Sequence, residues 1–275
     1  MGRLIEGVEI SMAEQLRFER PPVHAVSLAL LFDTLPKLQT LDLAQLRVDW
    51  REDYPILRES TPMPAWQASE QDDVEFVRSG LSWPMALCSL TTEAGDREVR
   101  FQQDRFVLKW NLSDGENSYP GYQALKAELL AKFDQFSKLS QSVSGVLPRV
   151  KRADVTYTNK IPGVSAHQAM AGVLTGWKSE SSFPFRVPDY CGFRVHYDES
   201  ELDPRVAVLI GVDSAVTEPS DGEFTEGASL IIDAESQVDT EDDFTDRMDR
   251  AHEVVAGAFL EVTSDGMRSQ WGEIK

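Results

Sequence analysis

Two short acid–base pairs are the first residues in this chain that invite a chemical reading. Asp104-Arg105 and His252-Glu253 each set an ionisable group beside a partner of opposite tendency, the raw material of general acid–base chemistry. His252-Glu253 also begins like the helical motif of zinc proteases. That motif needs a second histidine four positions after the first, and Ala256 stands there. The four histidines, His24, His167, His196 and His252, are scattered, and no pair has metal-ligand spacing. No phosphate-cradling glycine loop, dinucleotide fingerprint or nucleophile elbow occurs. The sequence therefore assigns no catalytic residue, metal or cofactor. It keeps Asp104, Arg105, His252 and Glu253 as a candidate polar site, active only if the fold brings them together.

Binding chemistry offers two further candidates. Asp239, Glu241, Asp242 and Asp243 crowd the approach to a predicted helix. There they can cap the helix and favour its dipole, or attract a basic partner. Their spacing lacks the glycine and terminal glutamate of a calcium loop. Trp110, Tyr119 and Tyr122 read either as an aromatic recognition patch or as anchors that seat a proline-opened helix on a sheet. Cys88 and Cys191 lie more than a hundred positions apart with no CxxC, which suits reduced core thiols.

Net charge narrows the partners. Among 275 residues, 46 acids face 27 bases, a formal charge of −19. Between Glu218 and Asp265 there are fifteen acids and two bases, Arg247 and Arg250, so most of the excess sits in one stretch. Such a surface repels phosphate backbones and draws basic proteins. Arg149, Lys151 and Arg152 are the only local basic cluster, too few to argue for nucleic acid. No apolar run reaches the ~18 residues of a membrane helix, and the opening residues carry acids rather than the apolar heart of a signal peptide. A soluble cytoplasmic protein is expected, docking a basic protein partner. Its oligomeric state is open, and a homo-oligomer is compatible with everything above.

The elements that must position these groups follow from periodicity. Thirteen Phe and six Trp are enough to fill a core. Val23–Phe32 reads as a buried strand. Leu43, Leu46 and Trp50 share one face of a helix that Thr40 can cap and that ends before Pro55. The Pro- and aromatic-rich connector from Tyr54 to Trp66 excludes regular helix. Strands Met85–Thr92, Arg97–Gln103 and Arg105–Asn111, joined by tight reversals near Gly95 and Asp104, make an antiparallel meander. Pro120 then opens a helix striped by Tyr122, Leu125, Leu129, Phe133 and Phe136.

The second half repeats that order. A strand over Lys151–Lys160 leads to a short helix from a Ser165/Gln168 capping box to about Thr175, and a second Pro- and aromatic-rich connector runs from Trp177 to Tyr190. Strands Gly192–Tyr197, Arg205–Val216 and Ser229–Val238 follow. The last helix, Asp243–Val262, turns Phe244, Met248, Ala251, Val255, Phe259 and Val262 to one side. The expected class is α+β: a mainly antiparallel sheet with helices packed on one face, in two candidate pseudo-repeated β-α-β-β-α halves. These span residues 20–145 and 146–275 after a polar leader, 1–19. The acidic segment 218–265 lies in the second.

Several short stretches carry a resemblance in combination. They are the Arg20-Pro21-Pro22-Val23 opening, Gln102-Gln103-Asp104-Arg105-Phe106 with Trp110, Tyr119-Pro120-Gly121-Tyr122, Thr156-Tyr157-Thr158-Asn159 with Ile161, and Asp249-Arg250-Ala251-His252-Glu253 with Phe259, Met267 and Trp271-Gly272. The set resembles a sporadically distributed, uncharacterised family of bacterial and phage proteins of about this length, over nearly the whole chain. The resemblance implies no established activity, cofactor or catalytic residue, and its patchy distribution suggests phage–host conflict. That family's usual Asn before the tryptophan is Lys109 here.

Overall fold

The structure, a computed structural model, describes residues 17–35, 38–66, 85–113, 118–173, 192–201, 203–217, 225–239 and 243–274. In chain order its elements are β1 (Arg17–Phe18), β2 (Val23–Phe32), a 3-10 turn (Thr40–Leu43), α1 (Ala44–Asp49), β3 (Ile56–Ser60), β4 (Leu87–Thr91), β5 (Arg97–Gln102) and β6 (Arg105–Asn111). Then follow α2 (Tyr122–Ser144), β7 (Val150–Pro162), α3 (Ala166–Val173), β8 (Gly192–Tyr197), β9 (Val206–Thr217), β10 (Thr225–Gln237), α4 (Phe244–Val262), α5 (Asp265–Gln270) and β11 (Glu273–Ile274). The class is α+β on a large antiparallel sheet, as the sequence implied.

The chain forms two compact units of non-consecutive segments. His24–Tyr157 with Glu235–Met248 make a meander unit; Met1–Val23, Thr158–Ala234 and Asp249–Lys275 make a terminal unit. In the meander unit the strand order is β3-β4-β5-β6-β2-β7. Pairings β3–β4, β4–β5, β5–β6 and β6–β2 are antiparallel. The register sets Phe106 opposite both Phe101 and Leu30, so alternate residues Val99, Phe101, Phe106, Leu108, Leu28 and Leu30 fall on one buried face.

Helix α2 supplies the matching surface. Its stripe of Tyr122, Leu125, Leu129, Phe133 and Phe136 is buried throughout. Phe106 lies 5.6 Å from Phe133 and 5.3 Å from Phe136 between ring centroids, and Phe32, Phe101 and Trp50 close the cluster. Pro120 stands outside this helix, not at its first position. Gly121, at φ 90°, is the N-cap, a backbone conformation that side-chain-bearing residues avoid. Gly145, left-handed at φ 74°, ends the helix by donating its N–H to the Gln141 carbonyl.

Two local expectations change in detail. Leu43, Leu46 and Trp50 are buried together, but on a 3-10 turn continued by α1. Gln39 rather than Thr40 caps the turn, its N–H donating to the Asp42 carboxylate at 2.9 Å. The first connector is not helical, yet it contains β3, an edge strand exposed along its whole length. Arg58 and Glu59 at its centre are charges of the kind that discourage edge-to-edge pairing. The second connector, Trp177 to Tyr190, lies outside the described residues.

In the terminal unit the order is β7-β10-β9-β8, with β8–β9 antiparallel, and Asn159 donates its side-chain N–H to the Leu230 carbonyl at 3.4 Å. Helix α3 packs on β9 and is opened by the Ser165/Gln168 capping box the sequence implied, with reciprocal bonds of 3.0 and 3.3 Å. Strand β1 pairs with β11, and Phe18, Phe259 and Trp271 meet at centroid distances of 5.7–6.3 Å. Neither α5 nor the β1–β11 pair was expected. Among the described residues no helix is long and apolar enough to cross a membrane.

Phe106 is the shared neighbour of this core. Phe106→Ala should cost ~3–5 kcal/mol of unfolding free energy by chemical denaturation, whereas Leu41→Ala, on the exposed side of the 3-10 turn, should stay within ~0.5 kcal/mol.

Candidate functional site

Asp104 and Arg105 sit at the reversal between β5 and β6, where Gln103-Asp104 turns the chain back on itself. Both are buried, at 0% and 7% exposure. The Arg105 Nε donates to one Asp104 carboxylate oxygen at 2.9 Å and Nη2 to the other at 3.0 Å, a forked pairing. The bonds left over hold the connector. Arg105 Nη2 also donates to the Pro64 carbonyl, Arg105 Nη1 to the Met63 sulfur at 3.3 Å, and the Trp66 backbone N–H to Asp104 at 3.2 Å.

Gln102 completes the clamp. Its side-chain amide receives the Met63 N–H at 2.9 Å and donates to the Met63 carbonyl at 3.0 Å, imitating a strand partner. The Trp66 indole N–H donates to the Phe32 carbonyl at 3.0 Å, and the Arg152 guanidinium lies 5.5 Å over its ring. Arg152 is in turn held by Asp154 at 2.8 Å and Glu235 at 2.6 Å. The segment Pro62–Trp66 is thus a strap across the turn, and the dyad with the most catalytic appearance is what fastens it.

His252 and Glu253 belong to the terminal unit and Asp104 and Arg105 to the meander unit. Both members of the second pair are half-buried on α4, and Glu253 pairs with Arg250 at 2.6 Å. Of the four acids, Asp239 is exposed. Asp243 serves α4 directly, its carboxylate accepting the Thr245 N–H at 2.8 Å in N-cap fashion. Glu241 and Asp242 lie outside the described residues. Among the described residues no group of three or more His, Cys, Asp or Glu is placed to hold a metal ion. Cys88 is buried, and burial, helped by the nearby Glu59 charge, pushes its thiol up to about 11, so it is not a thiolate at neutral pH. Cys191 is outside the described residues.

The aromatic residues pack inward. Trp110 and Tyr122 are buried, Tyr119 lies against Trp110 at 5.4 Å, and the Tyr119 and Tyr157 hydroxyls share a 2.6 Å hydrogen bond. Burial pushes Tyr119 up to about 12 and Tyr157 well above its ordinary value.

A second polar network escaped the sequence reading. Residues Glu128, Lys132 and Gln135 follow one another down one face of α2 and meet the polar ends of core aromatics. The Tyr54 hydroxyl donates to Glu128 and the Trp50 indole N–H to Gln135; Lys132 lies 5.2 Å over the Tyr54 ring and 5.1 Å over that of Trp50. Arg97 pairs with Glu128 at 3.2 Å. On the sheet face away from α2, burial raises the Glu98 carboxyl. Hydrogen bonds from Arg100 and Ser89, with the charges of Arg100 and Lys109, outweigh that and hold it below its ordinary value. Only the i, i+4, i+7 spacing of Glu128, Lys132 and Gln135 was available as a signal, and an exposed helix face shows the same pattern.

The tyrosine pair fixes an alkaline limit. Both groups keep their protons longer folded than unfolded, so their stabilisation is complete below about 10 and is lost at higher pH, for Tyr119 as pH climbs through about 12. Tyr119→Phe should flatten that alkaline decline in urea-unfolding free energy while leaving neutral-pH stability within ~1.5 kcal/mol, the range of one hydrogen bond.

No family model matches the chain, and no curated protein matches it. Among solved structures it is similar to the duplicated taurocyamine kinase of Schistosoma mansoni. With transition-state-analogue components bound, that structure aligns at 14% identity and TM-score 0.36, over 95% of this chain and 35% of that one. In its substrate-free form it aligns at 11% identity and TM-score 0.34, over 87% of this chain and 33% of that one. The chain therefore spans about a third of the length of the structures it matches.

Proposed function

We propose that this chain is a non-catalytic interaction protein, an accessory, inhibitor or sensor subunit, that docks a basic protein partner through its acidic surface, in a phage–host setting. The observation that carries the reading is the bonding of Asp104 and Arg105. The charged pair that would most resemble an active site is buried, and its bonds fasten the strap. The inward packing of Trp110 and Tyr122 and the protonated state of Cys88 support the same view.

Charge supports the choice of partner. At −19 overall, the protein steers cations toward itself over about a Debye length, ~8 Å at physiological salt. Asp239 is exposed at the start of the densest run of acids, and Asp243 keeps an exposed carboxylate while capping α4. The proposal includes a pseudo-repeat of the two halves; the long amphipathic helices α2 and α4, one closing each half, support it.

The test is native capture from the source cell at low salt, comparing wild type with the variant Asp239→Asn, Glu241→Gln, Asp242→Asn, Asp243→Asn. Asparagine caps a helix about as well as aspartate, so the last change removes charge without uncapping α4. Wild type should retain a basic protein that raised salt releases, and the variant should retain it at least ~10-fold more weakly, with a flatter salt dependence. Equal retention by both would remove the acidic surface from the mechanism, and a clean chain at low salt would remove the partner.

A further inference from the structure

We propose that Met63 is a peroxide-sensitive modification site whose sulfoxide tightens the grip of Arg105 on the strap. Two features set this methionine apart among the described ones. Met63 is 45% exposed, whereas Met85, Met170 and Met248 are buried and Met267 is half-buried. Its thioether already accepts a hydrogen bond from Arg105 Nη1 at 3.3 Å, while the Gln102 amide holds the Met63 backbone on both its N–H and its carbonyl. That exposure opens the side chain to a small oxidant in solution, and a guanidinium fixed by Asp104 waits beside the product.

The chemistry is self-contained with hydrogen peroxide as oxidant. A sulfur lone pair attacks one peroxide oxygen, the O–O bond breaks as the S–O bond forms, and the departing hydroxide takes the proton of the transferred oxygen to leave as water. Sulfur loses two electrons and the peroxide gains them. A thioether is a weak acceptor, but a sulfoxide oxygen is a strong one, and a bond from a charged donor to it is of the stronger class. Because Met63 lies on the surface of the strap, the added polarity disrupts no core. The unbranched side chain has the torsional freedom to turn the new oxygen toward Nη1.

Dilute hydrogen peroxide added to the full chain, followed by peptide mass mapping and amide hydrogen exchange, tests this. Met63 sulfoxide should accumulate ahead of oxidation at Met267, Met85, Met170 and Met248. The Met63 and Trp66 amides should then exchange about fivefold more slowly, the scale of one strengthened hydrogen bond. Met63→Gln, which puts a carbonyl acceptor at that point, should slow those amides without peroxide; Met63→Leu should abolish the response to peroxide in this segment. Oxidation of Met63 no faster than of Met267 would overturn the proposal. So would strap amides that exchange at an unchanged or higher rate once Met63 is oxidised.

Discussion

A carboxylate and a guanidinium withdrawn from water at the tip of the β5–β6 hairpin form the interaction on which much of the meander unit depends. Desolvating each charge costs several kcal/mol, and their mutual attraction repays that only if the geometry is good and the leftover donors and acceptors find partners. Both conditions hold. Asp104 accepts two bonds from Arg105 and one from the Trp66 N–H; Arg105 also donates to the Pro64 carbonyl and the Met63 sulfur. The Asp104 carbonyl accepts the Phe32 N–H, and the Gln103 carbonyl accepts that of Leu35, so the same turn also fixes where β2 ends. A proline-containing strap has few backbone donors of its own to offer a sheet. Side chains of the hairpin tip supply the bonds that a neighbouring strand otherwise would.

That arrangement explains why the residues of greatest chemical promise do structural work. A buried acid–base dyad in a cleft would mark a site of reaction; here the dyad is covered by a segment of its own chain. The tyrosines behave alike, since Tyr119 and Tyr157 satisfy each other within an apolar setting that keeps both protonated. Among the described residues, the groups of these two sets bond to one another and to their own chain.

Local order was legible in the sequence wherever one period sufficed. Strand β2, the reversals around Gly95 and Asp104, and the apolar stripe of α2 all follow from spacings of two or of three to four residues, and they fall where those spacings put them. The Ser165/Gln168 box was legible for the same reason. Other features depend on partners far along the chain. Strand β3 exists because β4 offers an edge to Ile56–Ser60, and none of its residues is buried to leave a pattern. The clamp joins residues 38 to 42 positions apart, so the sequence could show Asp104-Arg105 as a pair but not what the pair holds. That Gly121 caps the helix and Pro120 stands outside it is a contest between two helix-opening residues one position apart, settled by the backbone at φ 90°.

The central claim, that Asp104 and Arg105 act as a structural unit, is tested most directly by a double-mutant cycle on unfolding free energy with Asp104→Asn, Arg105→Met and the two combined. Each single change leaves a charge or its partners stranded and should cost ~3–5 kcal/mol. The double change should cost little more than either one, a coupling of at least ~2 kcal/mol. Single losses below ~1 kcal/mol, or losses that simply add, would contradict the account and return the pair to the list of groups free to do chemistry.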